Sequence, residues 1–205
     1  MATENLTKGG SNSGDCALAI LAEGDTKTWT PSTGTDHLAL LKKGVVSPVV
    51  PDITSYVSAI VDGKIDRFTV SNTILSAVTD ITVWVYASAT TDTKIQVNVF
   101  TGGTWGSYSD IVPTDSVAGW YSKTFSGSFA QSDLDALAVG LKNVRATSGT
   151  ATIYAVYVVV TGSNVLDGTL IIATDDTKPT NAALKAQGWT VTATAANAPA
   201  SGLAV

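Results

Sequence analysis

The sequence predicts an all-β protein built as an antiparallel sandwich, and three observations support this prediction. Only 14% of the 205 residues are charged, and just two of the acidic residues are Glu. Thr, Ser, Val, Ala and Gly dominate the composition, which disfavours long helices and favours strands and turns. Finally, segments 81–86, 94–100 and 153–160 have the pattern of strands. The core is therefore predicted in the stretch 66–161.

These three segments differ in how their apolar residues are arranged. In segment 94–100, three apolar side chains alternate with polar ones, as in a half-buried antiparallel strand. Segment 153–160 is apolar on both faces, which predicts a central strand with a layer on each side. The loop 88–93, which joins the first two segments, has the length of a hairpin connection. Together these features predict a sheet with 153–160 in its interior.

Shorter β-prone pieces fill the rest of this region. Between residues 26 and 72, three short strands are predicted, separated by Pro and Gly turns. A further strand is predicted near 119–125, and 131–135 is predicted to form one capped helical turn before a strand at 137–141. The total is about eight strands, with the turn spacing of a sandwich or jelly roll.

Three parts are predicted along the chain: an N-terminal arm (1–25), a jelly-roll domain (26–162) and a C-terminal annex with a tail (163–205). The first 14 residues are polar and have little apolar surface with which to fold alone. The apolar run 17–22 is predicted to form a short strand that packs against another part of the protein. The annex is predicted as a strand-helix-strand unit, too small to fold alone, that docks on the jelly roll or on a neighbouring subunit.

A characteristic order of packing and turn residues, none of them catalytic, runs through about residues 26 to 162. It consists of Trp29, Pro31, Ser32, Gly34, Asp36 and His37; Ser55 to Val57; Asp66, Phe68 and Thr69; Ile81, Val83, Val85 and Ala87; Val97, Val99, Gly102, Gly103 and Trp105; Trp120 and Phe125; Leu137, Val139 and Leu141; and Tyr154, Tyr157 and Val158. This order resembles the jelly-roll module common in virion proteins of tailed bacteriophages.

The resemblance implies a non-enzymatic structural component of a phage virion. A capsid decoration or cement protein is the preferred form, and neck, tail and fibre proteins are alternatives. The implied partners are the major capsid protein or other virion proteins, and the implied location is the capsid exterior after synthesis in the host cytoplasm. Symmetric assembly of many copies would stabilise the shell, so a homo-oligomer is expected, with a trimer preferred.

Charge, hydropathy and cysteine content lead to expectations about nucleic acid, membranes and the cellular compartment. The net charge is −5 and the longest basic run is the pair Lys42 and Lys43, so binding to nucleic acid is not expected. The apolar run 17–22 is far shorter than the roughly 20 residues of a membrane helix, so a soluble protein without membrane contact is expected. The single cysteine, Cys16, cannot form an intrachain disulfide and is expected to be a small buried apolar residue in a protein that folds in a reducing cytoplasm.

The sequence offers little for catalysis or for a cofactor. The only histidine, His37, follows Asp36 where a turn is predicted to lead into a strand, and no nucleophile elbow accompanies it. Nucleotide-binding glycine loops and calcium-binding EF-hand loops are absent from the sequence. We therefore predict no enzyme activity, no catalytic residue and no cofactor. A glycosidase would need two facing carboxylates, and the only glutamates, Glu4 and Glu23, lie in the predicted arm.

Two sets of residues have side chains of the kinds that bind metal ions or sugars. Asp133 with Asp135, and Asp175 with Asp176, have the acidic character of calcium ligands, but turn and capping roles are favoured and no metal site is predicted.

Trp105 and Trp120 lie beside glycines in predicted loops, where indole rings can stack on sugar rings. Packing in the core or in a subunit interface is the favoured alternative for both rings. If they bind sugar, the protein is a carbohydrate-binding jelly-roll module, on a tail fibre or in a secreted protein. That alternative function predicts exposed aromatic side chains aligned on one face of the molecule.

Overall fold

The computed structural model describes residues 13–41, 46–73, 75 and 77–163. The predicted annex from residue 164 onward and the first 12 residues lie outside the described residues. Within the described part, no helix is long and apolar enough to cross a membrane.

The described chain consists of strands and two short helices. The strands are β1 (Ser13–Lys27), β2 (Thr30–Pro31), β3 (Val57–Ala59), β4 (Ile65–Val70), β5 (Ala77–Ala89), β6 (Thr93–Thr101), β7 (Thr104–Trp105), β8 (Ser109–Val112), β9 (Ser116–Phe129), β10 (Ala138–Arg145) and β11 (Ala151–Ser163). The helices are α1 (His37–Leu41) and α2 (Gln131–Leu134).

The strands form two antiparallel sheets that share β1. Sheet A contains β11 at its centre, with β3 and the first half of β1 on one side, β5 and then β9 on the other, and β2 beyond β3. Sheet B has the order β1, β4, β10, β6, with both β7 and β8 pairing with the free edge of β6. Because β1 passes from one sheet to the other, it closes one edge of the sandwich.

Among the described residues, one hydrophobic core lies between the sheets. Sheet A contributes alternate residues of β5 and β11, and sheet B contributes alternate residues of β4, β6 and β10. Fully buried members of this core include Val83, Val85 and Val158 from sheet A and Phe68, Val97 and Leu141 from sheet B. Side chains at the intervening positions lie on the outer surfaces of the two sheets.

The prediction of an all-β antiparallel sandwich is confirmed. Strands are present at seven of the eight predicted places, and β11 is central in its sheet, as its two apolar faces indicated. Strands β1, β2, β7 and β8 bring the number within the described residues to eleven. The predicted helical turn at 131–135 is α2, where Asp133 Oδ2 accepts a hydrogen bond from the Ala130 N–H at 2.9 Å.

Two local predictions are wrong. The segment after Asp36 was expected to lead into a strand but forms α1, because Glu23 Oε1 accepts the N–H groups of His37 and Leu38 and so caps the first turn. The loop 88–93 does not close a hairpin. Strand β5 already pairs with β11 and β9, so β6 continues in sheet B and the loop connects the two layers.

The boundary predicted after residue 25 falls inside β1. The described part of the predicted arm is a strand that pairs with β11 from Ser13 to Ala19 and then with β4. Cys16, expected to be buried, is partly buried and packs against the core from this strand. This part of the chain is therefore built into the sandwich.

Candidate functional site

The two tryptophans singled out by the sequence lie on different sheets. Trp105 pairs with Phe100 at the edge of sheet B, and Phe100 alternates with the buried Val99, so both rings lie on the outer surface of that sheet. Trp120 pairs with Tyr86 on the outer surface of sheet A. The two indole rings therefore do not share a face, and each surface has its own chemistry.

On sheet A, six aromatic side chains form a continuous outer cluster. Neighbouring ring centroids are 5.4 to 6.0 Å apart, within the range of favourable edge and stacked contacts. We call this set the sheet A aromatic cluster; it comprises Tyr56, Trp84, Tyr86, Trp120, Tyr154 and Tyr157.

The segment 46–56 packs over this cluster and bonds to its polar atoms. Trp120 Nε1–H donates to the carbonyl oxygen of Val49 at 2.9 Å, and the Ser47 N–H donates to Tyr157 Oη at 3.3 Å. Burial raises the pKa of Tyr157, which is only 8% exposed. The structure thus places Trp120 in the packing between a loop and sheet A.

On sheet B, Trp105 is one of four side chains that surround Gly140. Both neighbours of Gly140 in β10 are buried in the core, so a side chain at this position would point outward. A Cβ atom there would lie 2.3 Å from Asn98 Oδ1, 3.1 Å from the Trp105 ring and 3.2 Å from Tyr108 Oη. Arg67 pairs with Gly140 from β4, and its guanidinium carbon is 4.4 Å from the Trp105 ring centroid. We call these five residues the Gly140 notch.

Three polar atoms of the Gly140 notch are buried and make no well-aligned hydrogen bond within the described part of the chain: Arg67 Nε, Asn98 Oδ1 and Tyr108 Oη. The Tyr108 hydroxyl lies beside the Arg67 side chain. The orientation of the Asn98 amide is fixed, because its Nδ2 donates to the carbonyl of Gly106 at 3.1 Å. An unpaired buried polar group costs about 1 to 3 kcal/mol, and folded proteins leave few of them. Three around one glycine point to a place where ligand groups complete the hydrogen bonding.

The charge of the Gly140 notch is already compensated. Arg67 Nη1 donates to both carboxylate oxygens of Asp25 at 3.0 Å, and this contact holds the pKa of Asp25 below its usual value. Burial raises the pKa of Tyr108, and Arg67 acts in the opposite direction through its charge and through a side-chain hydrogen bond to the phenol. The phenol is therefore a neutral hydroxyl at physiological pH.

Polar side chains continue along the same surface beyond the Gly140 notch. Lys142 Nζ is 5.4 Å from the centroid of the Tyr108 ring. Lys94 and Gln96 each donate to the Asp110 carboxylate at 2.8 Å, and these bonds lower the pKa of Asp110.

His37 lies away from this surface, in the interior. It is 3% exposed, and its Nδ1 is 2.5 Å from Asp66 Oδ2. Asp66 also accepts two backbone N–H groups at 2.7 and 2.9 Å; burial raises the pKa of Asp66, and the hydrogen bonds act in the opposite direction. Asp36, which precedes His37 in the sequence, is not a member of this pair but accepts a hydrogen bond from the Ala39 N–H at 2.9 Å in α1. The structure thus places His37 as a buried link between α1 and β4.

The acidic pair Asp133 and Asp135 lies at α2. Asp133 accepts the N–H of Ala130, and Asp135 Oδ1 accepts a side-chain amide of the same helix at 2.9 Å. In the described ranges, no group of three or more His, Cys, Asp or Glu side chains is placed to hold a metal ion. The other pair, Asp175 and Asp176, lies outside the described residues.

Sequence reasoning singled out Trp105 but missed the other four residues of the Gly140 notch. The sequence pattern around two of these four residues could have indicated the site. Gly140 interrupts an apolar strand, which often marks a close approach of other groups. Asn98 does lie on the polar face of its strand, as predicted, yet it is only 2% exposed because neighbouring groups cover it. Arg67 and Tyr108 carried no signal, since only the pairing of β4, β10 and β6 brings them together.

Comparison with known proteins does not assign a family. No protein-family model matches the sequence, and no curated protein matches it. Solved structures with some likeness include the CBM36-1 domain of a multidomain xylanase from the hindgut metagenome of Trinervitermes trinervoides, with 12% identity, a TM-score of 0.39, and coverage of 74% of this chain and 100% of that one.

Two further structures show a similar level of likeness. The CBM22-1 xylan-binding domain of Paenibacillus barcinonensis Xyn10C is 13% identical with a TM-score of 0.35, covering 76% of this chain and 99% of that one. The enzymatically active domain of tailspike protein 4 from bacteriophage CBA120 is 14% identical with a TM-score of 0.37, covering 75% of this chain and 19% of that one. At these identities and TM-scores, the likenesses carry no argument about function.

Proposed function

We propose that this protein binds carbohydrate through the Gly140 notch on the outer surface of sheet B. The observation that carries the proposal is a partly exposed indole ring together with three unpaired hydrogen-bonding atoms around one glycine. Ligand sites typically combine aromatic surface with a few convergent polar groups. A sugar matches both features of the site. Its C–H face stacks on an aromatic ring, and its hydroxyls donate and accept hydrogen bonds.

Each group of the notch has a role in this proposal. The Trp105 ring stacks on a sugar ring, Asn98 Oδ1 accepts a hydrogen bond from a hydroxyl, and Arg67 Nε donates one. Tyr108 Oη lies beside them and can donate or accept. Binding of this kind needs no proton transfer or nucleophile, so we also propose that the protein is not an enzyme.

Removal of the indole ring tests the proposal. Trp105→Ala should lower the association constant for a soluble polysaccharide by about two- to tenfold, because the lost aromatic contact contributes roughly 0.5 to 1.5 kcal/mol. The measurement is isothermal titration calorimetry against soluble glucan, galactan, xylan and polyuronate.

Trp120→Phe is the matched control, because it keeps a ring in the sheet A aromatic cluster and leaves sheet B unchanged. It should bind as the wild-type protein does. The proposal is contradicted if the wild-type protein binds none of these polysaccharides, or if the affinity follows Trp120 and not Trp105.

A second candidate function is the virion structural role that the resemblance implies, and an exposed apolar surface favours it. Val46, Val49, Val50 and Ile53 are between 42% and 63% exposed on the segment that covers sheet A. Asp52 is the only charged residue from position 46 to 61, so contact between two copies brings few like charges together. We propose that a second copy of this chain covers this surface in a homo-oligomer, with a trimer preferred, on the capsid exterior.

The native mass of the full chain tests this second candidate. Light scattering on a sizing column should give an oligomer for the wild-type protein, and the combined change of Val49, Val50 and Ile53 to Ser should give a monomer. Val117→Ser is the control, since Val117 is 81% exposed on β9 and should not affect the mass. A monomeric wild-type protein contradicts self-association through this surface.

A further inference from the structure

We propose that the ligand of the Gly140 notch is a neutral, hydroxyl-rich sugar and not an acidic one. This inference rests on the proposed carbohydrate-binding function and narrows its ligand class. Three features of the site carry it: the polarity of the unpaired atoms, the compensation of the nearby charges and the way in which Trp105 covers the site.

The unpaired atoms include both polarities of hydrogen bond. Asn98 Oδ1 can only accept, Arg67 Nε can only donate, and Tyr108 Oη can do either. A hydroxyl also does both, so neighbouring hydroxyls of one sugar can pair with all three atoms. An ionised carboxylate or a sulfate only accepts. Such an anionic group, placed against Asn98 Oδ1, would leave this oxygen unpaired and put negative charge beside it, which costs free energy.

The positive charges on this surface are mostly compensated. Arg67 pairs with Asp25, and Lys94 pairs with Asp110, so two carboxylates lie on the same face as these cations. Of the lysines described on this face, Lys142 makes no ion pair with the described residues. Together with the net charge of −5, this arrangement gives little attraction for a polyanion.

A ligand reaches the three unpaired atoms only if the side chains around them shift, Trp105 among them, because solvent does not contact these atoms in the free protein. The ring is carried by the two-residue strand β7 between Gly103 and Gly106, which pairs with β6 at only two positions. A shift of this short strand therefore breaks few hydrogen bonds. Ligand hydroxyls that replace the ring contact would pair atoms that the free protein leaves unpaired.

Calorimetric titration of the full chain with neutral and acidic polysaccharides tests the inference. The neutral probes are soluble glucan, galactan and xylan, and the acidic probes are polygalacturonate and alginate, each at low and at high salt. We expect at least one neutral probe to bind with an affinity that salt does not change. Neither acidic probe should bind within tenfold of that affinity.

Each outcome separates the inference from the function on which it rests. Tighter, salt-sensitive binding of an acidic probe overturns the neutral class and keeps carbohydrate binding. Binding of no probe overturns carbohydrate binding itself, and the inference with it. Binding of a neutral probe that is unchanged in Trp105→Ala places the ligand elsewhere and overturns both statements about the Gly140 notch.

Arg67→Lys adds a test that separates charge from hydrogen-bond geometry. Lysine keeps the positive charge beside Asp25 but lacks the Nε donor and the planar group that stacks on Trp105. For a neutral ligand, the affinity should fall by about tenfold. Lys142→Gln, which removes a charge outside the notch, should leave it unchanged. If Arg67→Lys, with an unchanged melting temperature, binds as tightly as wild type while Lys142→Gln loses binding, charge dominates and the inference is wrong.

Discussion

The outer surfaces of the two sheets contain similar residues, but they differ in whether the polar atoms around the tryptophan rings are hydrogen-bonded. On sheet A, the indole N–H of Trp120 and the hydroxyl of Tyr157 are bonded to the backbone of segment 46–56, so the aromatic cluster is complete in itself. On sheet B, the Trp105 ring packs against the Arg67 guanidinium, and Arg67 Nε and Asn98 Oδ1 are buried and lack a well-aligned partner among the described residues. An aromatic ring on a sheet is therefore a weak indicator of binding, whereas unpaired atoms beneath it are a stronger one.

This difference predicts that Trp120 contributes mainly to stability and Trp105 mainly to binding. Trp120→Ala should lower the free energy of unfolding by about 3 kcal/mol, because it removes a partly buried ring with two aromatic neighbours and leaves the Val49 carbonyl without its hydrogen bond. Chemical denaturation measures the loss. Trp105→Ala should cost clearly less, and a larger loss for Trp105→Ala would reverse the assignment of the two surfaces.

The substitution Gly140→Ala tests whether the crowded site on sheet B matters for both stability and binding. Gly140→Ala places a Cβ atom 2.3 Å from Asn98 Oδ1, so the Asn98 side chain must rotate and lose its bond to Gly106. We expect a loss of about 2 kcal/mol in unfolding free energy and weaker carbohydrate binding.

Gly119→Ala on sheet A is the matched control for this change. A Cβ atom at Gly119 has its nearest neighbour at 3.8 Å, an ordinary contact, so stability and binding should be almost unchanged. Equal effects of the two substitutions would show that the crowding around Gly140 has no special role.

The smallest expected effect concerns the ion pair on the sheet B surface. Lys94 and Gln96 lower the pKa of Asp110 in the folded protein, so Asp110 contributes stability above the carboxyl pKa of the unfolded chain, near pH 4. This contribution is lost as the pH falls through the lower folded pKa. Because Asp110 is exposed, Asp110→Asn should cost less than about 1 kcal/mol at pH 7, and progressively less as the pH falls through the folded pKa.

Denaturation of wild type and Asp110→Asn across this pH range checks the sign. The difference should also shrink in 1 M salt, where the Debye length is about 3 Å. A difference that grows as the pH falls would contradict the stated direction of the pKa shift.

Much of the sandwich could be predicted from local sequence patterns. Alternation in 94–100 and the doubly apolar segment 153–160 identified β6 and β11 because strand faces are read directly from side-chain order. The helix at His37 was missed because Glu23, which caps it, lies 14 residues earlier in the chain. The loop 88–93 was wrongly expected to close a hairpin, because the length of a loop does not show that β5 already has strand neighbours on both sides.

The candidate site was less predictable than the fold. Trp105 could be singled out by its residue type and its flanking glycines, but its contact with Arg67 depends on the register of three strands. Nor does residue type separate Trp105 from Trp120. The distinction comes from the Val49 carbonyl, which is 71 residues from Trp120 in sequence and bonds its indole N–H in the folded chain.

The most direct test of the central claim is a two-dimensional ¹H–¹⁵N NMR titration with the neutral oligosaccharide that binds best. Side-chain signals of Trp105 Nε1, Asn98 Nδ2 and Arg67 Nε report on the Gly140 notch, and Trp120 Nε1 reports on the sheet A aromatic cluster. We expect saturable shifts of the first three signals and none of the last. Shifts of Trp120 Nε1 with Trp105 and Asn98 unmoved would contradict the account and place the ligand on sheet A.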